Sequence, residues 1–338
     1  MGKGISGFMR ILVFEFITGG GFATQAIPES LLQEGRLMRH ALLADLGVLP
    51  EHKLLVLQDE RLAIDRADLH YLMVSEAVEL EVLLSAEQDN YDVVWLIAPE
   101  TDGILAFWCH FFTAQGKLLA NTGEMGVKIC QDKFSCFELL QRADIASVPT
   151  QLLDKALNIT CPSVLKLNNS VGCEGVYFLE SEQHWKALLP QLKQEQRYSV
   201  QPYIAGKVLS LSCLFYQGDA YFICCNEQIM QLEQQQFELL SCVVNVQLEK
   251  SFFYQQLCQQ IAEAIPDLFG YVGIDFIQTA TGESLILEIN PRLTSSYAGI
   301  EQALGLNVAA LVLTMLNNQP PILMKTRNQQ VIIMIKQG

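Results

Sequence analysis

Asp275, Glu288, Asn290 and Arg292 are the residues of this chain whose types and spacing best suit chemistry. They stand in Gly273-Ile274-Asp275-Phe276 and, after the apolar run Ser284-Leu285-Ile286-Leu287, in Glu288-Ile289-Asn290-Pro291-Arg292. The pattern predicts a hairpin in which Asp275 ends one strand and Thr279 to Gly282 makes the turn. Glu288 and Asn290, two apart on the return strand, then project from one face. Carboxylate and amide oxygens suit Mg²⁺, which takes one or two of them together with phosphate oxygens. Arg292 adds a planar fork of donors for the same phosphates. An isolated E-x-N is more often a solvated strand end, but here the segment is otherwise apolar, and a buried carboxylate without a cation is costly. The set reads as a nucleoside triphosphate site.

Two lysines upstream are placed to join it. Gln131-Asp132-Lys133 opens a helix predicted over 134–143. Lys166 follows the strand-like Ser163-Val164-Leu165 and precedes a small-residue loop containing Ser170, Gly172 and Gly175. Glycines let backbone N–H groups come close to phosphate oxygens, although hairpin turns use glycine as well. A strand lysine under a glycine loop holds ATP without a Walker A sequence, and G-x-x-x-x-G-K-[ST] is absent from the chain. The stretch Tyr198-Ser199-Val200-Gln201-Pro202-Tyr203-Ile204 reads as an edge or linker strand because of its proline. Its exposed backbone at Gln201, Pro202 and Ile204 could pair with adenine.

In this order, Lys133, Lys166, the glycine loop, the Gln201–Ile204 stretch, Asp275 and the Glu288/Asn290 pair resemble the ATP-grasp superfamily over roughly 121–316. The resemblance implies ATP as cofactor. Lys133, Lys166, Ser170, Gly172 and Gly175 would hold its phosphates, the hinge its adenine, and Asp275, Glu288 and Asn290 two Mg²⁺ ions, with Mn²⁺ as an alternative. Arg292 and Lys166 would be catalytic, and Ser295 and Ser296 would grip a substrate. The chain departs from many members at Val208, where a ribose-binding glutamate is usual, and its glycine loop is sparse, with Cys173 and Glu174 between the glycines. Met9–Phe16, Thr18-Gly19-Gly20-Gly21-Phe22, Glu34-Gly35-Arg36 and Ala98-Pro99-Glu100 look, with looser patterns, like the tyramine-glutamate ligases of methanofuran biosynthesis and their relatives in methylotrophic bacteria. Two functions follow as expectations: a carboxylate-amine ligase acting through an acyl phosphate, or a degenerate member that binds ATP without turnover.

Stepping outward to the elements, strands near 10–16, 53–57 and 92–98 alternate with helices near 33–46 and 103–115, which favours a parallel sheet. Strands near 207–216, 220–225, 271–278 and 284–289, with helices at 252–264 and 302–317, favour an antiparallel one, and Gln231 to Gln236 reads as a loop. The expected fold is α/β and α+β: an N-terminal α/β domain at 9–121, a small central lobe at 122–195 and a C-terminal lobe with the metal site at 196–335. Gly19 to Gly21 is not a dinucleotide fingerprint, since Thr24 stands where the third glycine belongs and Pro28 interrupts before the helix.

The composition agrees. The net charge of −15 disfavours nucleic acid and anionic membranes as partners. Ten cysteines contain no C-x-x-C and five histidines form no ligand pair, so reduced thiols in a cytoplasmic protein are expected in preference to zinc. No apolar stretch has the length of a membrane span, and residues 1–8 read as leader sequence. The expected partners are a small carboxylate and an amine; the sequence leaves the oligomeric state open, and the resemblance allows a homodimer, since the ligases the chain resembles are often dimers.

Overall fold

Ile11 and Val13 point to one side of the first strand and Leu12 and Phe14 to the other, and all four are fully buried. A strand covered on both faces belongs in a parallel sheet wrapped by helices. In the computed structural model, which describes residues 7–64, 66–153, 162–169, 175–193, 195–247 and 251–336, five parallel strands form that sheet. They are β1 (Arg10–Glu15), β2 (Lys53–Asp59), β3 (His70–Val74), β4 (Val93–Ile97) and β5 (Leu118–Leu119), in the order β3-β2-β1-β4-β5. Leu12 and Phe14 pack with Leu96, Trp108 and Phe112, the last two from helix Ile104–Ala114. Ile11 and Val13 pack with Leu42 and Leu46 of helix Glu29–Gly47, and that core continues into Leu304, Val308 and Val312 near the C-terminus. The first sheet and the distal helices therefore share one hydrophobic cluster.

The second sheet is antiparallel and contains β6 (Gln151–Leu152), β7 (Ser163–Leu167), β8 (Tyr177–Leu179), β9 (Tyr198–Pro202), β10 (Gly206–Tyr216), β11 (Asp219–Glu233), β12 (Gln236–Val244), β13 (Gly270–Thr279), β14 (Ser284–Asn290) and β15 (Val331–Met334). Its order is β14-β13-β10-β11-β12-β8-β7-β9-β6, with β15 on β12. Among the described residues, the portion of the sheet carrying Lys166 meets β12 at the pair Gln236–Tyr177, with Phe178 N donating to Gln235 O at 2.8 Å.

Four expectations need correction. Asp275 lies in the middle of β13, not at its end, although the turn falls at Thr279 to Gly282 as the pattern implies. The glutamine-rich segment is a hairpin: β11 runs to Glu233 and β12 restarts at Gln236, with Gln234 and Gln235 at φ 46 and 67. Two left-handed residues make the tight turn whose twist suits a hairpin. β9 is not an edge strand, because it pairs with β7 and β6; Pro202 is tolerated at its exposed end, beyond the reach of β6. The helix predicted at 302–317 is two, Ile300–Leu304 and Val308–Leu316, broken at Gly305 (φ 64) and restarted by Asn307, whose side chain accepts from Ala310 N at 2.8 Å. No single helix among the described residues is long and apolar enough to cross a membrane. The leader-like residues 1–6 lie outside the described ones.

Candidate active site

β13 and β14 set Asp275 directly opposite Glu288, and Gly273 opposite Asn290, so the three oxygen-bearing side chains share one face. Asn290 Nδ2 donates to Asp275 Oδ2 at 3.1 Å, and Gln228 Nε2, from β11, donates to Asp275 Oδ1 at 3.0 Å. Burial, and then the charge of Glu288, push the Asp275 carboxyl up to about 8. Glu288 moves the other way. Burial alone would raise it, but the ammonium groups of Lys133 and Lys166, with Arg292 behind them, together hold it below the usual carboxylate range. Lys133 Nζ is 3.4 Å from Glu288 Oε2. Two carboxylates forced together with one of them resisting ionisation form a site that lacks positive charge. The donor set, two carboxylates and an amide oxygen, is the hard-oxygen set that Mg²⁺ takes, so the residues fit that ion. Among the described residues no three His, Cys, Asp or Glu side chains gather to hold a metal ion, so the fit to Mg²⁺ rests on two carboxylates and one amide oxygen.

The lysines come from separate elements. Lys133 is the first residue of helix Lys133–Arg142, which Asp132 caps by accepting from Ser135 N at 2.8 Å. Its backbone N–H donates to Asn168 O at 3.0 Å, and Phe134 N to Asn168 Oδ1 at 3.1 Å, which ties this helix start to the segment just after β7. Lys166 lies on β7 opposite Ser199 of β9. Both lysine side chains are buried. Of the loop after Lys166, Ser170 and Gly172 lie outside the described residues, while Gly175 has φ +67, a conformation that favours glycine.

A cavity of about 670 Å³ opens between the two sheets, and Asp275, Glu288, Asn290, Arg292, Ser295, Ser296 and Gly175 all line it. Lys133, Lys166, Gln201, Pro202 and Ile204 do not. Gln201 is buried, and its Nε2 donates to Thr150 Oγ1 at 2.8 Å. Val208 pairs with Ile277, and beside it the exposed Lys207 pairs with Gln278.

Arg292 is clamped by partners outside the sequence-based set. Its Nε donates to Glu100 Oε2 at 3.0 Å and its Nη1 to Leu293 O at 3.0 Å. Ser295 Oγ donates to Glu34 Oε2 at 3.2 Å, whereas Ser296 belongs to a buried hydroxyl cluster with Thr294, Tyr271 and Ser212 at 3.0, 3.3 and 3.4 Å. Gln228, Glu34 and Glu100 are the site residues that sequence reasoning missed. Glu100 comes three residues after the end of a fully apolar strand and Glu34 is half-buried beside the buried stripe of a helix, which were the available signals; Gln228 offered none.

The comparisons with known proteins bear on this geometry. Residues 130–296 match the family model described as an ATP-grasp domain, and residues 52–124 match a pre ATP-grasp 3 domain. By sequence, no curated protein matches the chain. Among solved structures, a protein assigned to the ATP-grasp superfamily from Archaeoglobus fulgidus is 18% identical with a TM-score of 0.71, covering 96% of this chain and 92% of its own. The biotin carboxylase domain dimer of Hydrogenobacter thermophilus 2-oxoglutarate carboxylase, in complex with MgADP, ADP and bicarbonate, is 16% identical with a TM-score of 0.67, covering 95% and 71%. The L-amino acid ligase of Bacillus licheniformis is 13% identical with a TM-score of 0.64, covering 91% and 74%. With an N-terminal parallel domain, a large antiparallel sheet and family models matching residues 52–124 and 130–296, this chain belongs to the ATP-grasp superfamily.

Proposed function

We propose that the protein is an ATP-dependent carboxylate-amine ligase that forms ADP and phosphate through an acyl phosphate. One observation carries the reading: Asp275, Glu288, Asn290 and Arg292 line one end of a cavity large enough for a nucleotide and a second substrate, and the ammonium groups of Lys133 and Lys166 bear on Glu288 from behind that lining. Asp275, Glu288 and Asn290 would hold magnesium, two ions by the resemblance, with manganese as a substitute; the metal supplies charge neutralisation on the phosphate oxygens. Lys133 and Lys166 bind the phosphates, and Arg292, oriented by Glu100, steadies the carboxylate being phosphorylated. Such catalysis is positioning plus electrostatics, with no covalent enzyme intermediate. The structural neighbours, among them an L-amino acid ligase and a carboxylase domain with bound MgADP and bicarbonate, support the class. A binder without turnover has no comparable support.

For the substrates, the amino-terminal resemblance favours glutamate and an aromatic amine such as tyramine, in the synthesis of a methanofuran-like one-carbon carrier. With these and MgATP, ADP and phosphate should appear together with an amide, and hydroxylamine in place of the amine should trap a hydroxamate. Because the attacking amine must be neutral, the rate should rise from about pH 6 toward about pH 9. AMP and pyrophosphate as products would sink the mechanism. ADP formation only with another acid would keep the mechanism and discard glutamate.

A further inference from the structure

We infer that Glu34, with Ser295, forms an ammonium subsite on the N-terminal wall of the cavity, suited to a primary amine carried on an apolar stem. Leu31, Glu34, Gly35 and Met38 all line the cavity from helix Glu29–Gly47. Their spacing of three, four and seven puts them on one face, the stripe that ordinarily carries only apolar residues. A carboxylate in that stripe bears a desolvation cost, and burial raises Glu34 above its ordinary value.

The local charges do not balance without a ligand. Glu15, the other acid on this wall, is answered from within: it accepts from Thr18 N at 2.7 Å, Thr18 Oγ at 2.6 Å and Ile17 N at 3.2 Å. Glu34 accepts from the Ser295 hydroxyl. Glu100 holds Arg292 Nε through Oε2, and its Oε1 is buried with no donor. Arg292 is thus one cation shared among three carboxylates, Glu100, Glu34 and Glu288. Lys336 also bears on Glu34, but its ammonium is engaged 2.8 Å from Glu238. An added ammonium, with three donors and one positive charge, meets the deficit at Glu34, which lines the cavity. Ile17, Leu31, Met38 and Pro99 supply an apolar bed for the stem. The subsite also lies within electrostatic reach of Arg292, which is where an attacking nitrogen has to be held. That last step rests on the ligase reading; the binding of a cation does not.

The test uses phenethylamine, a cation at neutral pH, and 2-phenylethanol, a neutral molecule of the same shape, titrated calorimetrically into the full chain with and without MgADP. The wild type should bind the amine in preference to the alcohol. Glu34→Gln should weaken the amine by about tenfold or more, the scale of one charge-assisted contact, and abolish the preference. Glu34→Asp, which keeps the charge, should retain part of it. No amine binding in either state, equal binding of amine and alcohol by the wild type, or undiminished amine affinity in Glu34→Gln overturns the subsite. Since this readout needs no turnover, its failure leaves the ligase reading to the ADP and hydroxamate assays. Absent ADP release beside intact amine selectivity would reject the ligase reading alone.

Discussion

Asp275 and Glu288 face each other across one strand pair yet shift in opposite directions, because both lysine ammonium groups act on Glu288 while Asp275 has only Arg292 as a cation. Lys133 and Lys166 serve Glu288, while Asp275 receives two amide N–H groups, which stabilise a charge far less than an ammonium does. Glu288→Gln is therefore expected to remove the anchor of the phosphate-binding charges. Turnover should fall by about 3 kcal/mol of transition-state stabilisation, the loss of one strong electrostatic contact. Folding stability should change little, since the partner lost by Lys133 is offset by relief of the repulsion on Asp275. Near-normal turnover with Mg²⁺ would show the metal assignment to be wrong. Lys133→Ala and Lys166→Ala remove point charges aimed at the phosphates and should each weaken MgADP by roughly tenfold. Calorimetry showing unchanged affinity in both would reassign them to the support of Glu288.

At the scale of elements, the residues that were legible are those whose role is written in local spacing. The E-x-N pair read as one face of a strand, and the alternation of apolar runs with helical stretches read as a parallel sheet, since both signals are short-range. What could not be read depends on partners distant in sequence. Glu100 acquires meaning only when Arg292, far along the chain, is folded against it, and Gln228 only when β11 places its amide on Asp275. The helix break at Gly305 was hidden by continuous apolar periodicity, and the hairpin at Gln234-Gln235 by residues that seldom take left-handed conformations. Gly35 shows how an element is specialised to its site. A Cβ there would meet the Glu15 carboxylate at 2.7 to 2.8 Å. Alanine is normally favoured over glycine inside a helix by about 1 kcal/mol; here Gly35→Ala is expected to destabilise by about 1–3 kcal/mol through overpacking. Chemical denaturation decides the sign, and a stabilised variant would mean that Glu15 gives way freely.

For the whole molecule, the cavity exists only while the N-terminal domain stays docked on the C-terminal lobe, and Asp45 is at that seam. Tyr297 OH donates to Asp45 Oδ2 at 2.6 Å, and Asn307 Nδ2 donates to Asp45 O at 2.8 Å, so helix Glu29–Gly47 is fastened to the segments that follow the metal-site hairpin. Burial is the main reason that the Asp45 carboxyl is pushed up to about 6; hydrogen bonds from Tyr297 and the Ala309 backbone oppose it, and Glu301 adds to it. With a folded value above the unfolded one, the stability contributed by neutral Asp45 is fully present below the ordinary aspartate range and is lost as pH rises through about 6. Near neutrality the seam holds a charged carboxylate that depends on its donors. Tyr297→Phe removes one of them. Its cost should be about 1.5–3 kcal/mol at pH near 7.5, where the bond is charge-assisted, and clearly smaller near pH 5, where the carboxyl is largely neutral. Denaturant titrations of wild type and variant at the two pH values measure the difference directly. An equal cost at both would show that the hydroxyl serves packing alone and that the seam has no dependence on this proton.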